Sequence, residues 1–77
     1  MQQAAKPIRL PNGNVFPFYA STSVEFIPNR GVLVKNGPHI AWIDQPDNTK
    51  ATLIRDQLVS VVIDTRRADQ PDWSILD

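Results

Sequence analysis

Short apolar runs alternate with turn-forming residues along most of the chain. The separators are Pro28-Asn29-Arg30-Gly31, Asn36-Gly37-Pro38 and Gln45-Pro46-Asp47-Asn48, and each contains residues that supply a fixed or a positive φ. Runs of this length, rich in β-branched and aromatic residues and regularly spaced, predict β-strands. The predicted strands are 15–19, 21–27, 31–35, 39–44, 50–55 and 58–64.

This pattern predicts an all-β fold, namely a small five-stranded antiparallel barrel or curled sheet. The architecture resembles SH3-like and Sm-like barrels. It would comprise an extended N-terminal arm at 1–14, a small β-barrel domain at 15–67 and an acidic tail with a tryptophan anchor at 68–77. Pro17 restricts the first predicted strand to a sheet edge, or prevents a strand there, because proline cannot donate to a ladder.

Residues 50–64 leave a second interpretation open, because they contain neither proline nor glycine. Val59, Val61 and Ile63 recur at every second position and are β-branched, which favours a strand. The alternative is a helix from about residue 50 to about residue 58 that leads into a strand.

The tetrapeptide Asp-Gln-Pro-Asp occurs twice, at 44–47 and at 69–72, and a hydroxyl side chain follows each copy after one intervening residue. Proline suits the second position of a turn, and an aspartate carboxylate accepts nearby backbone N–H groups, so each copy predicts a turn or a helix N-cap. The first copy is expected to be a hairpin loop. Neither copy has the loop length, glycine or bidentate glutamate of a known calcium loop, so no metal site is expected.

Composition excludes several kinds of site. The 77 residues contain no cysteine and one histidine, His39, so a disulfide framework and a thiolate or multi-histidine metal site within one chain are excluded. No glycine-rich phosphate loop and no nucleophile elbow occurs in the sequence. The sequence therefore predicts neither an enzyme nor a cofactor.

The net charge is zero, but the two halves of the chain differ in sign. Residues 1–37 carry a net charge of +3 and residues 38–77 a net charge of −3. A chain of this kind lacks the basic excess of a general nucleic-acid binder and is suited to stacking head to tail with its own copies. No apolar run approaches the length of a membrane-spanning helix and no stretch resembles a signal peptide, so a cytoplasmic location is expected.

Two apolar clusters are candidate binding surfaces. Three aromatic residues around Pro17 cannot all face one core in an extended segment, and the tail places a tryptophan and two aliphatic residues between acidic ones. These tail residues either fold back onto the same domain or dock onto another chain. We therefore predict a non-enzymatic protein-interaction or assembly protein, such as an accessory subunit, a virion component or a viral inhibitor of a host protein. Its partner is another protein or a second copy. The predicted binding residues are Phe16, Phe18, Tyr19, Trp73, Ile75 and Leu76.

The alternative function is single-stranded nucleic-acid binding by a small barrel of the Sm or OB type. Arg9, Arg30 and Lys35 would hold phosphates while exposed aromatic side chains stack on bases. The neutral total charge favours the protein-binding hypothesis.

Overall fold

A computed structural model describes residues 6–67 of the chain. Within this part, five antiparallel strands form two open sheets, and a helix follows them. One sheet pairs β1 with β2, and the other has the order β3-β4-β5. The elements are β1 (Lys6–Arg9), β2 (Val15–Phe18), β3 (Ser23–Ile27), β4 (Gly31–Asn36), β5 (His39–Asp44) and α1 (Asn48–Arg67).

The prediction of an all-β barrel is wrong. The two sheets do not close on each other, and α1 occupies the residues that were predicted as two further strands. Four predicted strands are present as β2 to β5, with bounds that differ by at most two residues. The fifth strand is β1, which forms within the segment predicted as an extended arm.

The β1–β2 hairpin is made by a turn that the sequence specifies closely. The Gly13 N–H donates to the Leu10 carbonyl at 2.9 Å, and the Leu10 N–H donates to the Asn14 carbonyl at 2.7 Å. Pro11 has the fixed φ that the second position of such a turn needs, and Gly13 has a φ of 92°. This combination of a turn followed by a glycine at positive φ is a common three-residue hairpin loop.

Two prolines lie opposite each other in this hairpin without breaking its ladder. Pro7 pairs with Pro17 in the register. Opposite residues of an antiparallel ladder alternate between hydrogen-bonded and non-hydrogen-bonded pairs. Since Leu10 and Asn14 form a hydrogen-bonded pair, the Pro7–Pro17 pair, three positions along, is a non-hydrogen-bonded one. Neither proline therefore removes a bond between β1 and β2, which is how Pro17 is accommodated in a strand.

The β3–β4 turn is attached to the start of the helix. Asn29 has a φ of 63° after Pro28, as a type II turn requires at its second central residue. The Asn29 N–H donates to Asn48 Oδ1 at 2.6 Å, and Asn48 Nδ2 donates to Asn29 Oδ1 at 3.1 Å. These two bonds fix the first residue of α1 relative to the three-stranded sheet.

The predicted strands 50–55 and 58–64 are wrong, because both lie within α1. The alternative reading was right that residues from about 50 form a helix, but wrong that a strand follows it. The buried residues of α1 lie on one helical face, at spacings of three, four or seven positions: Ala51, Leu58, Val61, Val62 and Thr65. A β-branched residue costs a helix less than about 1 kcal/mol, whereas burying a large apolar side chain contributes about 1.5–3 kcal/mol. Burial therefore outweighs the strand preference of the valines.

The first copy of the repeated tetrapeptide caps this helix. Asp47 Oδ1 accepts hydrogen bonds from the Thr49 N–H at 2.9 Å and from the Lys50 N–H at 3.3 Å. The Asp47 carbonyl accepts the first helical bond, from the Ala51 N–H at 2.9 Å. The N-cap interpretation of this copy is confirmed, and the expectation of a hairpin loop is wrong. The second copy lies outside the described residues.

The core lies between α1 and the inner faces of both sheets. Helix α1 lies against β3, β4 and β2, so a single apolar cluster draws residues from both sheets and the helix. The buried members are Ile8, Leu10, Phe16, Phe18, Val32, Val34, Ala41, Ile43, Ala51, Leu58, Val61 and Val62.

Replacing Asp47 with alanine should lower the free energy of unfolding by about 1 kcal/mol, because two N–H groups at the start of α1 lose their acceptor. Urea unfolding followed by circular dichroism measures the change. Asp44→Ala is the matched control, since Asp44 is also exposed and its side chain makes no hydrogen bond within the described residues. Equal losses of unfolding free energy in the two variants would show that the hydrogen bonds from the Asp47 side chain do not stabilise the protein.

Replacing Gly31 with alanine should destabilise the protein by more than about 2 kcal/mol. Gly31 has a φ of 152°, and a Cβ atom there would overlap the Ile43 carbonyl oxygen on the neighbouring strand. Gly37→Ala is the control, because Gly37 also has a positive φ, of 59°, but a Cβ atom there would meet nothing within 4 Å. The melting temperature of Gly31→Ala should lie well below that of Gly37→Ala. The reverse order would contradict the close approach of the Ile43 carbonyl oxygen to Gly31.

Candidate functional site

Two of the three aromatic residues predicted to form a binding edge lie in the core. Phe16 and Phe18 are 3% and 0% exposed, and their rings meet edge to face with centroids 5.1 Å apart. Tyr19 is half-buried at the end of this segment. Phe16 and Phe18 therefore stabilise the protein itself and present almost no surface to a partner, while Tyr19 remains partly accessible.

The other predicted protein-binding residues, Trp73, Ile75 and Leu76, lie outside the described residues. The structure places none of them.

The three predicted phosphate-binding cations do not form one continuous track. Arg30 lies in the β3–β4 turn and Lys35 near the other end of β4, so roughly 16 Å of strand separates them. Arg9 lies in the other sheet, on β1. All three side chains are exposed.

An open cleft of about 330 Å³ lies where the two sheets face each other. One wall is formed by the start of β2 and the other by the β4–β5 turn with the start of β5. The lining residues are Asn14, Val15, Phe16, Pro17, Pro38, His39, Ile40 and Ala41. This volume is at the lower end of the range for binding pockets, and most of the exposed surface that lines the cleft is polar.

Two exposed aliphatic side chains define the chemistry of the cleft. Ile40 is 65% exposed and Val15 is 62% exposed, the highest values among the large apolar side chains in residues 7–65. They come from different sheets and line the same cleft. The sequence analysis missed both residues, because each belongs to an alternating strand in which nothing distinguishes a covered face from an open one.

A cation lies directly across the strand register from each of these aliphatic residues. Arg9 pairs with Val15 on the first sheet, and Lys35 pairs with Ile40 on the second. Paired residues lie on the same face of a sheet with their side chains adjacent, and both cations are exposed. Neither makes an ion pair within the part of the chain that the structure describes, where Arg55 and Asp56 form one. The exposed lining of the cleft is mostly polar, with Val15 and Ile40 as its strongly exposed aliphatic residues and a cation one strand beyond each wall.

The backbone of each wall also points toward the cleft. The Gln45 N–H donates to the Arg30 carbonyl at 3.0 Å, which makes Lys35–Ile40 a non-hydrogen-bonded pair by the alternation of the ladder. The N–H and C=O of Ile40 are therefore directed away from β4. Because Leu10 and Asn14 form a hydrogen-bonded pair, the adjacent Arg9–Val15 pair is non-hydrogen-bonded, so the N–H and C=O of Val15 are directed away from β1.

A side-chain hydrogen bond links the β1–β2 turn to β5. Asn12 Nδ2, in the β1–β2 turn, donates to the Trp42 carbonyl on β5 at 2.7 Å, while Asn12 Oδ1 accepts from the Asn14 N–H at 3.0 Å. Pro17 has no N–H to offer β5, which prevents a regular ladder between β2 and β5. Within the described residues, the two sheets therefore meet at β2 and β5 through side chains and this one side-chain hydrogen bond, without a shared ladder.

The arrangement suits binding through apolar and main-chain contacts. His39 is the one titratable side chain in the cleft lining, and its ring lies edge to face with Phe16 at 6.2 Å. Within residues 6–67, no group of three or more histidine, cysteine, aspartate or glutamate residues could hold a metal ion. Nor is any helix in this part of the chain long and apolar enough to cross a membrane.

Replacing Asn12 with aspartate should lower the free energy of unfolding by about 1 kcal/mol. The carboxylate keeps the acceptor for the Asn14 N–H but places an oxygen against the Trp42 carbonyl in place of a donor. Asn14→Asp in the same exposed turn is the control for added charge. Chemical unfolding of the two variants measures the difference, and similar stabilities would show that the Asn12–Trp42 bond does not hold the sheets together.

No protein-family model matches the chain, and neither a curated protein nor a solved structure is significantly similar to it. The candidate site therefore stands on its own geometry and chemistry.

Proposed function

We propose that the protein is a non-enzymatic interaction or assembly protein that binds an extended segment of a protein partner at the cleft between β2 and β5. The observation that carries this proposal is the position of Val15 and Ile40, two strongly exposed aliphatic side chains from separate sheets that line one cleft. Apolar side chains brought together at a concave surface are typical of interaction sites.

The main chain of the walls supports binding of an extended segment. Val15 and Ile40 each direct an N–H and a C=O away from their own ladder and toward the cleft. Peptides that associate with strand edges use such groups for affinity, and alternate side chains give specificity. A partner segment here would obtain backbone hydrogen bonds and apolar contacts at the same place.

The apolar surface continues from the cleft onto the outer face of the three-stranded sheet. Trp42 lies two residues after Ile40 on the same face of β5, is 38% exposed, and is paired with half-buried Leu33 on β4. Helix α1 packs on the opposite face of this sheet, so Trp42 and Leu33 extend the binding surface beyond the cleft. An exposed tryptophan is a frequent anchor in protein interfaces.

Single-stranded nucleic acid is the competing ligand. Arg9 and Lys35 lie near the cleft walls, but Arg30 lies at the far end of β4. The three cations therefore do not form one continuous phosphate-binding track, which favours a protein segment as the ligand. A titration with a labelled oligonucleotide at low and high salt separates the two hypotheses, because binding to phosphates weakens steeply as salt rises.

The direct test is selection of short peptides from a random displayed library on the immobilised chain. We expect apolar peptides to be enriched, and the affinity of a selected peptide to fall at least about tenfold in Ile40→Ser. Leu53→Ser is the matched control, because Leu53 is 58% exposed on α1 and does not line the cleft. Both substitutions affect exposed side chains, so both variants should remain folded.

Equal binding by wild type and Ile40→Ser would exclude the cleft as the site. Failure to enrich any peptide, together with salt-sensitive oligonucleotide binding, would replace the proposed function with nucleic-acid binding.

A further inference from the structure

We infer that the open edge of β3 is a second binding site, which binds an extended antiparallel segment of a foreign protein with a lysine or arginine between two apolar residues. This edge is separate from the cleft between β2 and β5, so the inference goes beyond the proposed function and does not depend on it. It is carried by the unpaired main chain of β3, by the half-buried apolar side chains at that edge and by the exposed carboxylate of Glu25.

Strand β3 directs main-chain hydrogen-bonding groups away from its own sheet. The Gln45 N–H donates to the Arg30 carbonyl, so every second residue of β4 from there bonds to β5 and the residues between them bond to β3. In the β3–β4 register, Val24 and Phe26 lie opposite residues that bond to β5. The N–H and C=O groups of Val24 and Phe26 therefore point to the open edge, where they have no hydrogen-bond partner within residues 6–67.

The other edges of the two sheets are less open to an added strand. Pro7 and Pro17 have no N–H to offer at the open edges of β1 and β2. At the edge of β5, the Asn12 side chain already donates to the Trp42 carbonyl. Strand β3 has the sequence SVEFI, which contains neither proline nor lysine, the residues with which native sheets commonly protect an edge. Its edge is therefore suited to strand addition.

The apolar core reaches this edge without being fully covered. Val24 and Phe26 are half-buried and pack against the core cluster, as does half-buried Ile54 of α1. An added strand would place the side chains opposite Val24 and Phe26 on the same inner face of the sheet. Apolar side chains at those two positions would extend the core and remove more of its surface from water, which favours association.

Glu25 determines the charge of the segment that fits. It lies between Val24 and Phe26, is exposed, and makes no ion pair or side-chain hydrogen bond within the part of the chain that the structure describes. The residue opposite it in an added antiparallel strand would belong to a non-hydrogen-bonded pair, in which side chains lie closest together. A lysine or arginine is favourable there. A second copy of β3, paired with Val24 opposite Phe26, would instead place Glu25 against Glu25, so the occupant is a foreign segment.

The test measures binding of the capped peptide Thr-Val-Lys-Ile-Thr to the full-length chain by amide NMR. Over about 0.1–5 mM peptide, the range of weak specific binding, the N–H signals of Val24 and Phe26 should shift and exchange more slowly with solvent. The reason is that these groups gain carbonyl acceptors. The same peptide with N-methyl groups on its valine and isoleucine cannot donate to the carbonyls of β3 and should leave both signals unchanged.

Charge reversal tests the predicted chemistry of the partner. A peptide with glutamate in place of lysine should bind at least about threefold more weakly, and Glu25→Lys should reverse this order. Asp44→Lys is the matched control, because Asp44 is also exposed but lies on β5, and it should keep the preference for the lysine peptide. Ile40→Ser, which alters the cleft, should bind the lysine peptide as wild type does.

Unshifted Val24 and Phe26 signals overturn the inference, as do equal shifts with the N-methylated peptide or an unchanged preference in Glu25→Lys. A wild-type dimer in light scattering whose Val24 and Phe26 amides are already protected would assign the edge to a second copy, which also contradicts it. If the lysine peptide shifts the signals of Val15 and Ile40 instead, it binds at the cleft. That result supports the proposed function and overturns the inference about β3.

Discussion

Ala51, Leu58 and Val61 of α1 are buried in one core with residues of both sheets, and this packing holds together two sheets that share no hydrogen-bonded strand. A two-stranded hairpin is marginally stable at best by itself, and the inner face of the three-stranded sheet is apolar and needs a covering layer. The helix supplies the missing layer and is itself positioned at its first turn by Asp47 and by the Asn29–Asn48 pair. The orientation of the two sheets, and therefore the cleft, depends on this one helix.

The cleft exists because the sheets are packed together without being joined into one sheet. Pro17 has no N–H at the edge of β2 that faces β5, and the Asn12 side chain bonds to the Trp42 carbonyl where a neighbouring strand would otherwise pair. Native sheets often protect their edges with prolines and short strands. Here this protection leaves an open cleft that Val15 of one sheet and Ile40 of the other both line.

Apolar contact and charge have different roles at such a site. In the proposed complex, Val15 and Ile40 would supply apolar area that is removed from water on binding. Arg9 and Lys35 are exposed, so any attraction to carboxylates of a partner would be screened by salt and would contribute mostly to orientation and to the rate of association.

The sequence by itself determined β2 to β5 and their turns, because Pro28-Asn29, Gly37-Pro38 and the alternation of apolar residues are local signals that act over a few residues. It also specified the capping chemistry of Asp47, although not that a helix follows. Only the tertiary structure decided that residues 48–67 are helical, since the valines favour a strand until one face is buried against both sheets. It likewise decided that Phe16 and Phe18 are core while Val15 and Ile40 are exposed, because which face of a strand is covered depends on elements distant in sequence.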